Sequence, residues 1–137
     1  MILDKNLEFS DAQAETTTAT HASTNDIDLE VAGDATKELY LIVGVHTAPT
    51  SSGSATINIQ LITSASANMS EPVTLWETGA VAYNNAIFAL GKSFVVRMPQ
   101  GAKRYLRVNY IIAGAALTAG KFNAFLTPTP DNYIGKA

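Results

Sequence analysis

The side chains of this sequence that could do chemistry are few and scattered. There are two histidines, His21 and His46, and no cysteine, which excludes thiolate ligands, cysteine nucleophiles and disulfides together. A zinc site normally needs three or four histidine, cysteine or carboxylate ligands, and neither histidine belongs to a paired spacing such as His-x-His. We therefore predict no metal and no cofactor. The alternative, a metal site that joins His46 to carboxylates of other strands, is tested by metal analysis of the purified protein.

The carboxylates form no catalytic pattern either. The densest group is Asp26, Asp28 and Glu30, which a strand places on one polar face; we interpret it as a solvated or subunit-facing edge. A glycosidase needs two carboxylates opposed across a cleft, and the sequence cannot reveal such a pair. The motifs G-x-S-x-G and H-E-x-x-H are absent, and GDATKE and GSATIN lack the spacing of a phosphate-binding loop. We predict that the chain is not an enzyme.

The one basic cluster of the sequence consists of Arg97, Lys103, Arg104 and Arg107. With Tyr105 and Tyr110 nearby, it resembles a platform for single-stranded nucleic acid. However, the two tyrosines are five positions apart, so alternation places them on opposite faces of a strand. The net charge of −3 and the pI of about 5.2 also argue against a field that attracts nucleic acid. We predict no nucleic-acid partner and interpret the cluster as a protein-interface patch that meets acidic side chains.

The elements that must position these residues are strands. In residues 55–63, Ile57, Ile59 and Leu61 alternate with polar residues, the pattern of a half-buried strand. Similar runs, separated by turn signals every 8–15 residues, predict strands at 27–31, 38–46, 55–63, 73–78, 87–90, 93–98, 104–112 and 121–126. Many short strands without an amphipathic helix predict an all-β, two-sheet antiparallel sandwich of jelly-roll or Greek-key type.

Residues 1–26 differ in composition from the rest. A short apolar patch is followed by DAQAETTTATHASTND, which has almost no large side chain and cannot bury enough apolar area to offset its ordering entropy. One interpretation is a disordered leader, or an N-terminal strand followed by a long loop. The other is an extended arm that docks on a neighbouring subunit. We predict the arm over 1–26, the sandwich over 27–127 and a proline-containing tail over 128–137.

The composition suggests that part of the protein surface is covered by another subunit. Only 15% of the residues are charged and 47% are hydrophobic, whereas globular domains usually have about a quarter charged residues. No stretch approaches the roughly 18–20 apolar residues that cross a bilayer, and the N-terminus lacks the apolar core of a signal peptide. We expect a soluble protein without a membrane partner that is made in a cytoplasm.

An alternative function rests on the only tryptophan. Sugar-binding platforms use exposed aromatic rings with amides and charged groups, and one grouping of this kind exists: Trp76, Tyr83, Asn84 and Asn85. A carbohydrate-binding, lectin-like jelly roll is therefore the second function considered. Packing of Trp76 in the core is the competing interpretation.

Four segments, in order along the chain, carry a family resemblance: LDKNLEFSDAQA, ASTNDIDLEV, RYLRVNY and GKFNAFLTPTPDNY. Together they resemble the jelly-roll cement (decoration) proteins of tailed bacteriophage heads, of the Bordetella phage type. The resemblance implies a small subunit that self-associates and binds the outer face of the capsid, where it bridges major capsid proteins. It also implies a location on the virion surface, after synthesis in the host bacterial cytoplasm. The family has no catalytic residues to carry over.

These inferences lead to specific partners and contacts. We expect a homo-oligomer, with a dimer favoured over a trimer, and the major capsid protein as the second partner. The residues predicted at protein interfaces are Ile2, Leu3, Leu7, Phe9, Asp28, Glu30, Arg97, Lys103, Arg104 and Arg107.

Overall fold

The computed structural model describes residues 7–29 and 39–127 and contains ten strands there. They are β1 (Glu8–Ala14), β2 (Thr20–Ala22), β3 (Ile27–Asp28), β4 (Tyr40–Thr50), β5 (Thr56–Ser64), β6 (Val73–Glu77), β7 (Val81–Ala82), β8 (Ser93–Arg97), β9 (Tyr105–Ala113) and β10 (Ala119–Thr127). A short 3-10 turn, Ala86–Phe88, lies between β7 and β8. Among these residues, no helix has the length and apolar character needed to span a membrane.

The strands form two antiparallel sheets that pack as a sandwich. Sheet A has the order β1-β10-β4-β8, and sheet B has the order β2-β9-β5-β6, with β3 also pairing with β9 and β7 with β5. Strands from the start of the chain therefore lie beside strands from its end in both sheets, which is the arrangement of a jelly roll. The all-β sandwich predicted from the alternating pattern is confirmed.

The core lies between the sheets and follows directly from the alternation. Ile57, Ile59 and Leu61 of β5 are fully buried, and their cross-strand partners on β9 are Ile112, Tyr110 and Val108, also buried. Sheet A completes the core with buried side chains from β4 and β10. The Tyr110 ring, from sheet B, stacks on the Phe122 ring of sheet A with centroids 5.4 Å apart, and such contacts between aromatic rings add to the area that burial removes from water.

The described part of the N-terminal segment belongs to the sandwich, which corrects the predicted arm. β1 pairs with β10, and β2 pairs with β9, so residues 8–22 extend one edge of each sheet of their own chain. The segment is ordered although it has few large apolar residues, because the neighbouring strands β10 and β9 supply its hydrogen-bonding partners and the core against which it packs. Of the two interpretations, the N-terminal strand followed by a loop agrees with residues 7–26. Residues 1–6 and the predicted tail, 128–137, lie outside the described residues.

The strand predicted at 87–90 is wrong. Residues Ala86–Phe88 form the 3-10 turn, which begins after Asn85, whose side-chain oxygen accepts a hydrogen bond from the Ile87 N–H at 3.1 Å. This cap outweighs the β-propensity of the apolar residues, and the turn buries Phe88 completely. Of the predicted strand 27–31, β3 confirms Ile27 and Asp28; Leu29 is not part of a strand, and residues 30 and 31 lie outside the described residues.

Candidate interaction surfaces

Two arginine–aspartate pairs lie where β3 and the residue before it run beside the start of β9 in sheet B. The Arg107 guanidinium donates two hydrogen bonds to the Asp26 carboxylate, both at 2.7 Å. Arg104 donates two to Asp28, at 2.8 and 3.0 Å. We call these four residues the charged ladder. The pairs form because β3 runs antiparallel to β9, with Ile27 opposite Leu106 and Asp28 opposite Tyr105.

The charged ladder shows where four of the acidic and basic residues considered in the sequence analysis lie. The acidic strand and the basic cluster were each expected to face solvent or a partner, and the structure brings them together within one chain. Bidentate pairs of this kind are geometrically well defined, and the hydrogen bonds that Arg107 donates to Asp26 raise the pKa of Arg107 above its ordinary value. All four side chains are nevertheless partly exposed, so the ladder remains accessible as a polar surface of balanced charge.

The other two basic residues do not join the ladder. Arg97 ends β8, which belongs to sheet A, whereas Arg104 and Arg107 belong to sheet B. Lys103 is half-buried and its backbone N–H donates to the Thr63 hydroxyl at 2.8 Å. The basic cluster of the sequence is therefore divided between two sheets, because the chain crosses from one sheet to the other between Arg97 and Arg104.

The predicted apolar anchor is also divided. Phe9 is fully buried in the core of its own chain, and Leu7 packs partly buried against the same core. Phe9 is corrected to a core residue, because β1 places it on the inner face of sheet A. Ile2 and Leu3 lie outside the described residues, as does Glu30, so their interface roles stay predictions.

A polar network missed by the sequence analysis joins β1 to β2 and closes one edge of the sandwich. Its centre is Gln13, whose side-chain N–H donates to the Ala22 carbonyl at 2.8 Å, while its side-chain oxygen accepts from the Thr24 N–H at 2.8 Å. The same oxygen accepts from the Ser10 hydroxyl at 2.7 Å, and Ser10 in turn accepts from the buried Tyr110 hydroxyl at 3.0 Å. We call this network the polar latch.

Glu15 and His21 form the outer end of the polar latch. Glu15 is almost fully buried; one carboxylate oxygen lies 3.2 Å from His21 Nδ1, and the other accepts from Gln13. His21 Nε2 lies 2.8 Å from the Thr17 carbonyl oxygen and 3.2 Å from its hydroxyl. Glutamate, histidine and threonine are the residue types of a hydrolase triad, but here Nε2 faces the backbone acceptor of Thr17, which suits a structural role. The sequence carries no local signal for this arrangement, because Gln13 and Glu15 acquire these partners only when β2 lies beside β1.

Replacing Glu15 by glutamine is expected to change the pH dependence of stability. Burial raises the pKa of the Glu15 carboxyl above its ordinary value, against the opposing effects of His21 and Gln13. A raised folded-state pKa contributes stability that is full below the unfolded value and is lost as the pH rises through the folded value. The melting temperature of Glu15→Gln should therefore gain on that of the wild type between about pH 4 and pH 7.

Glu77 provides a control of opposite sign. Gln60 and Asn58 donate to its carboxylate at 2.7 and 3.1 Å and lower its pKa. Its contribution is present above the unfolded value and is lost as the pH falls, so Glu77→Gln should lose ground against the wild type over the same rise in pH. If the melting temperatures of Glu15→Gln and the wild type change with pH in parallel, the raised pKa of a buried Glu15 is contradicted.

The predicted sugar platform is not assembled as one exposed surface. Trp76 of β6 lies opposite Leu61, whose side chain is in the core, and it packs partly buried against that core, as Tyr83 does. The side chain of Asn85 caps the 3-10 turn. Packing of Trp76 in the core, the competing interpretation, agrees with this geometry.

The comparison with protein families decides the relationship. The family model named Bbp16 matches residues 9–126 of the chain. This chain belongs to the Bbp16 family. The match runs from β1 to β10 and therefore includes both sheets, the charged ladder and the polar latch. The name Bbp16 suggests a Bordetella phage protein, which confirms the resemblance to a Bordetella-phage-type protein. No curated protein matches the chain.

Proposed function

We propose that this Bbp16-family chain is a structural, non-catalytic virion protein, a cement protein on the outer face of a phage head. It self-associates and binds major capsid proteins, and it reinforces the contacts between them. The observation that carries the proposal is the family match over residues 9–126, together with the resemblance of four sequence segments to phage cement proteins.

The fold is suited to such a role. A cement protein acts by adding contacts across the seams of a shell, so that many weak interactions, repeated over the lattice, give a high total affinity. This demands a rigid subunit with accessible polar surface, and not a deep catalytic cleft. The sandwich supplies rigidity through its interleaved sheets, and the charged ladder supplies exposed, charge-balanced side chains on sheet B.

Co-sedimentation with empty phage heads tests the proposal. The purified chain is mixed with heads assembled from the major capsid protein alone, and the bound fraction is measured over increasing concentration. We expect saturable binding, and heads that carry the chain should resist heating better than bare heads. A chain that stays in the supernatant at every concentration would overturn the cement function.

A double variant of the ladder sharpens this experiment. Asp26→Ala with Arg107→Ala removes one exposed pair and keeps the net charge, and exposed ion pairs contribute only about 0–1 kcal/mol to stability. If the ladder contacts the capsid, this variant should fold normally and bind heads more weakly. Lys121→Ala, which removes an exposed charge on β10 of the other sheet, is the control. The carbohydrate-binding alternative is tested separately on a glycan array, where cement function predicts no specific signal.

A further inference from the structure

The two long edges of the sandwich are unequal. On one edge, β1 of sheet A and β2 of sheet B are joined by the polar latch. The opposite edge is formed by β8 of sheet A and by β6 and β7 of sheet B, and no described strand pairs with the outer side of any of them. An unpaired strand edge presents a row of backbone donors and acceptors, which proteins usually protect with lysine, proline or a bulge. VTLWE of β6 and SFVVR of β8 contain no lysine or proline. Protection is confined to Pro72 directly before β6, Lys92 directly before β8 and a register shift between Leu61 and Ile62 in the β5–β6 pairing.

This open edge also carries the exposed apolar side chains of the described residues. The large hydrophobic residues that are exposed there are Val73 on β6 (45%), Val95 on β8 (37%) and Leu90 just before β8 (68%). Behind them, Leu75, Trp76 and Phe94 are only partly buried against the core. Apolar side chains clustered beside unpaired backbone groups are characteristic of a surface that another chain covers.

The charges at the edge make it complementary to itself. β6 is flanked by acids, with Glu71 just before it and Glu77 at its end, whereas β8 follows Lys92 and ends at Arg97. The hydrogen bonds from Gln60 and Asn58 keep Glu77 ionised. Two copies of this edge have complementary charges when the acidic β6 of one copy meets the basic β8 of the other.

Strand directions permit this pairing. β4 and β5 are joined by the short loop 51–55 and so run in roughly opposite directions in the two sheets. β6 is antiparallel to β5, and β8 is antiparallel to β4, so β6 and β8 are also roughly opposite. A two-fold axis along the strands preserves these directions and places each β6 antiparallel to the β8 of the other copy. The contact is then the same on both copies, as a two-fold interface requires.

We infer that two copies of this chain join through the β6/β8 edge, so that each sheet continues across the dimer as β6 of one copy pairs with β8 of the other. This inference deepens the proposed function, because it names the surface for the self-association that the cement role includes. With Val73–Trp76 beside the apolar Phe94–Val96, the antiparallel pairing brings Glu77 next to Lys92 of the other copy.

Sedimentation equilibrium over micromolar concentrations tests the pairing. Val73→Lys and Val95→Lys each place a charge on the seam and should raise the dimer dissociation constant at least about tenfold. Ala116→Lys adds the same charge at an exposed position in the loop before β10 and should leave it unchanged. Thermal melting of each variant shows that the fold is retained. Backbone amides of β8 should also exchange more slowly with solvent as the concentration of wild-type chain rises.

Charge reversal gives a test that does not depend on the apolar variants. Lys92→Glu and Glu77→Lys should each weaken the dimer, and the two together should restore it, because the double variant rebuilds the pair with its signs exchanged. A wild-type chain that stays monomeric at about 100 µM would overturn the proposed dimer interface. Lysine variants that dimerise as tightly as the wild type would overturn it as well. A monomeric chain that still binds heads overturns the seam alone, whereas a dimer that does not bind heads overturns the cement function alone.

Discussion

Replacing Phe9 by alanine is expected to lower the free energy of unfolding by about 3–5 kcal/mol. The ring is fully buried between the sheets, and β1 holds it there by pairing with β10. Truncation removes the transfer free energy of the ring and leaves a cavity that the packed neighbours fill only in part. Because small domains are stable by only about 5–15 kcal/mol, the loss should be evident as a large fall in the urea midpoint.

The same variant separates the two roles considered for the start of the chain. A residue that anchors a partner leaves the stability of the monomer unchanged when it is truncated, and weakens association instead. Leu7→Ala is the matched control, since Leu7 packs only partly buried against the same core, and its effect on unfolding should be clearly smaller. An unchanged unfolding free energy for Phe9→Ala, with loss of self-association, would contradict the core placement and restore the docking arm.

Gly114→Ala is expected to destabilise the chain by about 2–4 kcal/mol. Gly114 follows β9 with φ +81°, in the left-handed region, where a side chain is strained. A Cβ at this position would lie 2.5 Å from the Ser54 carbonyl oxygen. That oxygen belongs to the backbone of the loop that connects the two sheets, so it cannot move aside as the end of a flexible side chain does.

Gly79→Ala isolates the backbone part of this effect. Gly79 has a similar φ of +77°, but its added Cβ would meet nothing within 4 Å, so only the strain remains, about 1 kcal/mol. The difference between the two variants, measured by urea denaturation, reports the collision with Ser54. Equal losses would mean that the loop at Ser54 shifts freely, which would contradict the tight approach seen here.

The fold was predictable where strands bury one face. Residues 55–61 and 105–112 alternate between core and surface, and both belong to central strands with a neighbour on each side. An N-terminal strand was only one of the interpretations of residues 1–26, and β2 was not predicted, since this segment contains few large apolar residues. β1 and β2 form because β10 and β9 offer hydrogen-bonding partners distant in the sequence, and such pairing leaves no local pattern.

The candidate surfaces were predictable in composition but not in pairing. The acidic group and the basic cluster were both recognised, yet their combination into the charged ladder depends on the register of β3 against β9, about 80 residues apart in sequence. Arg97 was grouped with Arg104 because the two are close in sequence, whereas the chain changes sheet between them. The polar latch was missed for the same reason, since Gln13 and Glu15 are unremarkable until β2 lies beside them.

The interleaved order of the strands has a consequence for folding during synthesis. β1 is completed by β10, and the Ala12 N–H donates to the Asn123 side chain 111 positions away. During translation, β1 and β2 leave the ribosome long before the strands that pair with them exist. Non-local pairing of this kind makes folding slow, on the order of milliseconds to seconds. Any partner that recognises the finished sandwich must therefore meet the chain after nearly all of it has been synthesised.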